Sequence, residues 1–180
     1  NRKIERISHF DLVIHENICE ALEITKDLQG DYVEIGVYKG GSALTALNYL
    51  RDLRDSLGTR VERKVWCLDT FDGFTYDEAS CSSDAIWVGT HKLFGVNETM
   101  NYIRETFSDV GVNFELVQAN ICADIFPTGI RRIAVANIDV DMFEPTRDSL
   151  SKISPLIVKG GIIICEDPTS TPALYGALLA

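Results

Sequence analysis

The stretch Gly30-Asp31-Tyr32-Val33-Glu34-Ile35-Gly36-Val37-Tyr38-Lys39-Gly40-Gly41-Ser42 decides the fold. Tyr32–Ile35 is a short β-rich run that stops at Gly36. Ser42–Arg54 follows, with Ala43, Leu44, Leu47 and Leu50 forming an apolar stripe at helical spacing. A strand therefore runs through a glycine loop into a helix. Glycine lets such a backbone turn tightly and approach a ligand closely. The N–H groups left unpaired at the helix start favour an anionic group.

Outward from this loop the same alternation recurs. Ile4–Leu28 carries apolar residues at three- and four-residue steps, which predicts one or two helices, with Gly30 as the C-cap. Lys64–Leu68 reads as a second strand ending at Asp69, and Asn113–Val117 as a third. Ile133–Ile138 is a fourth, ending in Asp139-Val140-Asp141, and Gly161–Cys165 a fifth, ending in Glu166-Asp167. Asn97–Phe107 reads as a helix, and Pro145 suits the first turn of another that runs to Ile153. Phe71–His91 has no steady period and reads as a long loop. In it, His91 is placed to reach a substrate, and Trp87 and Tyr76 either pack against the domain or form a lid. The strands are continuous apolar runs, as in a parallel sheet covered on both faces. The expectation is an α/β, doubly wound, mostly parallel sheet, with ligands beyond the carboxyl ends of its strands.

Acids stand at those ends: Glu34, Asp69, Asp139, Asp141, Glu166 and Asp167. Such a cluster is costly unless a ligand or cation compensates it. An acid such as Asp69, ending the second strand, commonly accepts hydrogen bonds from ribose hydroxyls. Carboxylates from adjacent strand ends are hard oxygen ligands, suited to Mg²⁺, Ca²⁺ or Mn²⁺. A carboxylate outside such a shell could take a proton. The plainer alternatives are a solvated strand-end acid at 69 and helix-capping acids beside Pro145 and Pro168. The glycine loop lacks the full G-x-G-x-x-G fingerprint, because Val37-Tyr38 replaces the second glycine position. That disfavours a dinucleotide and suits the carboxylate of an amino-acid-like cofactor.

Composition bounds the rest. The chain has 180 residues, 46% hydrophobic and 24% charged, enough for one domain with its own core. A net charge of −10 and only short basic clusters argue against a nucleic-acid partner. No apolar run reaches the roughly 20 residues of a membrane span. Five cysteines, an odd number without a C-x-x-C pair, favour a reducing, cytoplasmic location over a disulfide framework.

Four segments, "GDYVEIGVYKGGSALTAL" (30–47), "VWCLDTFDGF" (65–74), "NIDVDMFEPTRDSL" (137–150) and "PLIVKGGIIICEDP" (155–168), together resemble the macrocin O-methyltransferase family. Those are class I S-adenosylmethionine-dependent enzymes with a Rossmann-like fold, many acting on hydroxyls of natural-product sugars. The resemblance implies S-adenosylmethionine as cofactor, held by Glu34, Gly36, Val37, Tyr38, Gly40, Gly41 and Ser42. Asp69 would hold the ribose, and Asn120 would flank the adenine. It implies Mg²⁺ or another divalent cation at Asp139, Glu166 and Asp167, with Asp139 and Asp141 catalytic and Asp141 the general base. The acceptor would be a small sugar or glycoside, and a homo-oligomer is left open. Glu166, Phe143 and Pro168 depart from the family's usual Asp, Tyr and Tyr. Residues 1–180 are expected to form one domain, with a helical segment over 1–29 and without the family's last C-terminal strands. A non-catalytic binding module and a nicotinamide-dependent oxidoreductase remain the alternatives.

Overall fold

The computed structural model describes residues 12–57, 62–81, 83–166 and 179–180. Five parallel strands form one sheet: β1 (Asp31–Ile35), β2 (Val65–Asp69), β3 (Phe114–Gln118), β4 (Ile133–Ile138) and β5 (Ile157–Cys165). Their order is β3-β2-β1-β4-β5. The chain winds from β1 out to β3, then returns across β1 to β4 and β5. The switch point therefore lies between β1 and β4, at their carboxyl ends.

Burial follows from the strand sequences. β4, Ile-Ala-Val-Ala-Asn-Ile, is buried along its whole length, and β1 and β2 nearly so. Side chains alternate between two cores, because successive strand residues point to opposite faces. On one face Tyr32, Val65, Cys67 and Val135 pack with Ile18 and Leu22 of α1 (Leu12–Ile24), Ala43 and Leu47 of α2 (Gly41–Leu57), and Ile103 and Phe107 of α3 (Val96–Phe107). On the other, Val33, Ile35, Trp66, Leu68, Ala136 and Ile138 pack with Met142 and with Ile153 of α4 (Phe143–Ile153). Burial pushes the Cys67 thiol well up, so it packs as a small hydrophobe. Among the described residues no helix is long and apolar enough to cross a membrane.

Three local expectations are revised. Gly30 does not cap the first helix, which ends at Ile24. There the buried Arg63 guanidinium instead donates to the Thr25 and Leu28 carbonyl oxygens. Gly30 is needed for a different reason: a Cβ there would lie 2.8 Å from the Ala134 backbone nitrogen. β5 begins at Ile157 rather than Gly161, since Ile133 of β4 already pairs with Ile157. The segment after β2 is not irregular throughout. It contains two 3-10 turns, Asp77–Cys81 and Ser83–Trp87. The helix expected near Pro172 lies outside the described residues, and β5 pairs on one side only among them.

The glycine loop is held against the neighbouring strand end. Gly36 has φ +88°, and a Cβ on it would lie 1.7 Å from the Asp139 carbonyl oxygen. Gly36→Ala is therefore expected to destabilise the fold by about 2 kcal/mol or more. Urea denaturation reads this directly; wild-type stability in the variant would mean that the loop and the Asp139 turn are not in contact.

Candidate active site

A cavity of about 390 Å³ opens at the carboxyl ends of β1, β2 and β4. Its floor is Gly36, Val37 and Tyr38 of the glycine loop with Asp139, Val140 and Asp141 after β4. Asp69 and Phe71 close one side, and Thr99 of α3 joins the lining. The size and the mixed lining, few acids among many aromatics, match a small-molecule site. A smaller cavity, about 200 Å³, lies at the opposite ends of the strands and is lined by Lys26, Arg54 and Arg63.

Asp69 organises the floor. Its Oδ2 accepts the backbone N–H groups of Val37 (2.6 Å) and Tyr38 (3.0 Å), and its Oδ1 accepts that of Phe71 (2.7 Å). One carboxylate thus fixes both the glycine loop and the exit from β2. Tyr38 and Phe71 have positive φ, 48° and 55°, an uncommon state for large side chains that this tether helps to hold.

The segment after β2 folds back as the cavity's cover. Phe74, Tyr76, Trp87 and His91 line it, and the His91 ring lies 4.4 Å from that of Phe74 and 5.9 Å, edge-on, from that of Tyr38. Asp84 anchors the cover. It is 3% exposed, and its Oδ2 accepts the Phe143 N–H at 3.0 Å. The N-cap residue of α4, Met142, makes no side-chain bond of its own, so Asp84 supplies the cap from the cover. Burial, then the nearby Asp69 carboxylate, pushes the Tyr76 phenol well up, leaving a neutral hydroxyl at pH 7.

The acids at the strand ends divide into two groups. Asp69, Asp139 and Asp141 line the cavity, Asp141 with φ +62°. Glu34 and Glu166 are buried inside the fold. Glu34 accepts the Ser42 hydroxyl at 2.8 Å and the Tyr32 hydroxyl at 2.7 Å, so it clamps the first turn of α2. Asn137 on β4 donates its amide to Glu166 Oε1 and also bonds Glu34. Ser42, Gly40 and Gly41 shape the loop from behind and do not line the cavity. Gly40, φ +82°, faces Phe107 of α3, whose ring a Cβ would meet at 2.9 Å. Asn120 turns its Oδ1 to the N–H groups of Cys122 and Ala123 in its own loop. Asp167 lies outside the described residues, among which no three His, Cys, Asp or Glu side chains gather as a metal shell.

Of the residues that line this part of the cavity, the sequence offered Tyr76, Trp87 and His91 as lid or substrate contacts beside the packing alternative, whereas Phe74 and Thr99 were not foreseen. The aperiodic run Phe71–His91 was the available signal for the former; Thr99 carries none, since it is an ordinary residue on a helix.

A parallel sheet with a glycine loop, a β2-end acid and a cavity at its switch point defines the class: a doubly wound, Rossmann-like small-molecule-binding domain. The macrocin-O-methyltransferase (TylF) family model matches residues 6–178, and the chain belongs to that family. It is 29% identical over 161 residues to 8-demethyl-8-(2,3-dimethoxy-alpha-L-rhamnosyl)-tetracenomycin-C 4'-O-methyltransferase of Streptomyces olivaceus, covering 83% of this chain and 57% of that protein. It is 28% identical over 175 residues to demethyldecarbamoylnovobiocin O-methyltransferase of Streptomyces niveus, covering 91% of this chain and 63% of that protein. The chain thus spans about three fifths of the length of these curated relatives. The solved structure of the O-methyltransferase NovP superposes with a TM-score of 0.75 at 20% identity, over 97% of this chain and 72% of that one. The calicheamicin methyltransferase CalS11 gives 0.67 at 21%, over 96% and 70%. At those identities the two structures establish the fold, which is the doubly wound sheet expected from sequence.

Burial raises the Glu34 carboxyl from 4.5 to about 7, against the hydrogen bonds from Tyr32, Ser42, Asn137 and Ala43 that favour its charged form. The folded chain therefore keeps this proton where the unfolded chain releases it. Stability from this group is fully present below about pH 4.5, falls as pH rises towards 7, and is level above that. Glu34→Gln should remove this slope, worth about 3 kcal/mol between the two ends. Parallel denaturation curves of variant and wild type at every pH between 4 and 8 would contradict the assignment.

Proposed function

We propose that this chain binds S-adenosylmethionine in the 390 Å³ cavity and serves methyl transfer to a hydroxyl of a sugar-like or natural-product acceptor. The observation that carries the reading is the meeting of three parts at one switch point in a member of this family: the glycine loop, the β2-end Asp69 and the Asp139–Asp141 turn. Its relatives, an O-methyltransferase of a rhamnosyl-tetracenomycin and one of demethyldecarbamoylnovobiocin, support the acceptor class.

The residues present fit the cofactor. Gly36, Val37 and Tyr38 bring the glycine loop to the cavity floor, and the buried Thr99 hydroxyl in the lining has no hydrogen-bond partner among the described residues. The glycine loop would hold the amino-acid portion at the start of α2. Asp69 would take the ribose hydroxyls, exchanging one of its loop N–H donors for them. S-adenosylmethionine supplies an electrophilic methyl group on a sulfonium sulfur. Asp141 accepts the proton of the acceptor hydroxyl as its oxygen is alkylated. The cover, pinned by Asp84, keeps water away and fixes the acceptor in line, which supplies much of the rate in such a displacement.

A divalent cation, Mg²⁺ by the hardness of the donors, is the finer part of the proposal. Asp139 lines the cavity, and Glu166 follows β5 beside it, its N–H donating to the Ile138 carbonyl at 3.0 Å. That adjacency supports a site at Asp139, Glu166 and Asp167. The Glu166 carboxylate, however, is engaged by Asn137, so the described residues do not complete a shell. The cation's chemistry at this place would be to hold and acidify the acceptor hydroxyl.

Calorimetric titration with S-adenosylhomocysteine, with NAD as control, tests the cofactor reading. Micromolar binding of the first and none of the second is expected, and Asp69→Ala should weaken it by about 1–3 kcal/mol. No binding of S-adenosylhomocysteine would sink the reading. For the cation, methyl transfer by the complete protein is expected to fall on chelation and to recover with Mg²⁺. Asp139→Ala should abolish that recovery, and a Mg²⁺ response intact in this variant would place the cation elsewhere.

A further inference from the structure

Thr99 is the feature of the cavity that no part of the proposed chemistry yet uses. It sits in the second turn of α3, is 2% exposed and lines the cavity. Its Oγ1 is buried without a hydrogen-bond partner among the described residues. A buried hydroxyl in that state is unfavourable. Helices in this chain have a ready remedy. The hydroxyls of Thr45 and Thr106 donate to the carbonyl four residues back, at 3.3 and 2.8 Å, and Thr25 does the same just beyond α1, at 2.7 Å. Thr99 does not, although its own N–H bonds the Gly95 carbonyl at 2.9 Å. Thr146 and Ser149 on α4 also carry unpartnered hydroxyls, but neither lines the cavity.

The face of α3 that carries Thr99 fixes what the hydroxyl can meet. Thr99, Ile103 and Phe107 are spaced at i, i+4 and i+8 and share one helix face, all buried. Ile103 and Phe107 lie directly against Gly40, at 3.4 and 2.9 Å from where its Cβ would be. Thr99 is one turn nearer the N-terminus of α3 on that same face. It therefore stands over the glycine loop, across the cavity floor from the loop residues Val37 and Tyr38. Asp69, beneath the loop at the end of β2, belongs to the ribose side.

We infer that Thr99 is a ligand-contacting residue whose hydroxyl hydrogen-bonds the amino-acid portion of the bound cofactor, its carboxylate or ammonium, and so selects for ligands that carry that portion. A threonine hydroxyl donates one bond and accepts others, so it can serve either group. This inference rests on the S-adenosylmethionine reading of the cavity.

The test is titration of wild type, Thr99→Val and Thr99→Ser with two probes, S-adenosylhomocysteine and 5′-methylthioadenosine, which lacks the amino-acid portion. Thr99→Val keeps the shape and removes the hydroxyl. It is expected to weaken S-adenosylhomocysteine on the order of tenfold while leaving methylthioadenosine within twofold of wild type. Thr99→Ser should recover most of the loss. The thermal midpoint of Thr99→Val should equal or exceed that of wild type, because an unsatisfied buried hydroxyl is gone, which separates lost contact from lost fold. Wild-type affinity of Thr99→Val for S-adenosylhomocysteine, or an equal loss for both probes, overturns this inference alone. A wild-type chain that binds neither probe overturns the cofactor reading and this inference with it.

Discussion

The tether from Asp69 to the glycine loop is the constraint on which the rest of the site depends. A single carboxylate at the end of β2 receives the N–H groups of Val37, Tyr38 and Phe71. Hydrogen bonds to a charged acceptor are among the stronger ones in a protein. Here they hold two large side chains at positive φ and bring the ends of β1 and β2 into one surface. Gly36 completes the arrangement from the other side, since only a residue without Cβ can stand against the Asp139 carbonyl. The cavity floor is therefore a set of backbone positions locked by one acid and one glycine. The cofactor proposed for it would have to enter that bonding pattern rather than an empty socket.

Behind the floor lies a second polar layer that ligands do not reach. Glu34 bonds Ser42 at the start of α2, Tyr32 on its own strand and Asn137 on the next, and Asn137 passes the connection to Glu166 beyond β5. This buried chain ties the helix that opens the glycine loop to the strands carrying Asp139 and Asp141. Networks of this kind specify one arrangement when their members are paired. In this chain the network sets the position of α2, and Asp84 does the same for α4 from the cover.

The sheet was legible in the sequence because β1, β2 and β4 are short runs made mostly of apolar residues without strict alternation, as strands buried on both faces are. Ile133–Ile138 coincides with β4, and Asp69 stands at the carboxyl end of β2, as expected. What the sequence could not show is how deep in the fold each strand-end acid stands. Glu34, Asp69, Asp139 and Glu166 look alike in a string of letters. Glu34 pairs with Cys67 in the sheet, so it shares a face with Asp69; Asp69 stands one pleat further along and meets the loop, while Glu34 stays buried beneath α2. Asp84 and Thr99 were invisible for a different reason. Their importance lies in partners distant in the chain, Phe143 for one and the cavity for the other.

The cavity at the switch point is proposed to hold an S-adenosyl ligand along the glycine loop. A crystal structure of the chain grown with S-adenosylhomocysteine tests it most directly. The predicted result has the ribose at Asp69 and the amino-acid end between Gly36–Gly40 and Thr99. Ligand density elsewhere, as in the smaller cavity beside Arg63, with the Asp69 to Val37 and Tyr38 bonds undisturbed, would contradict it.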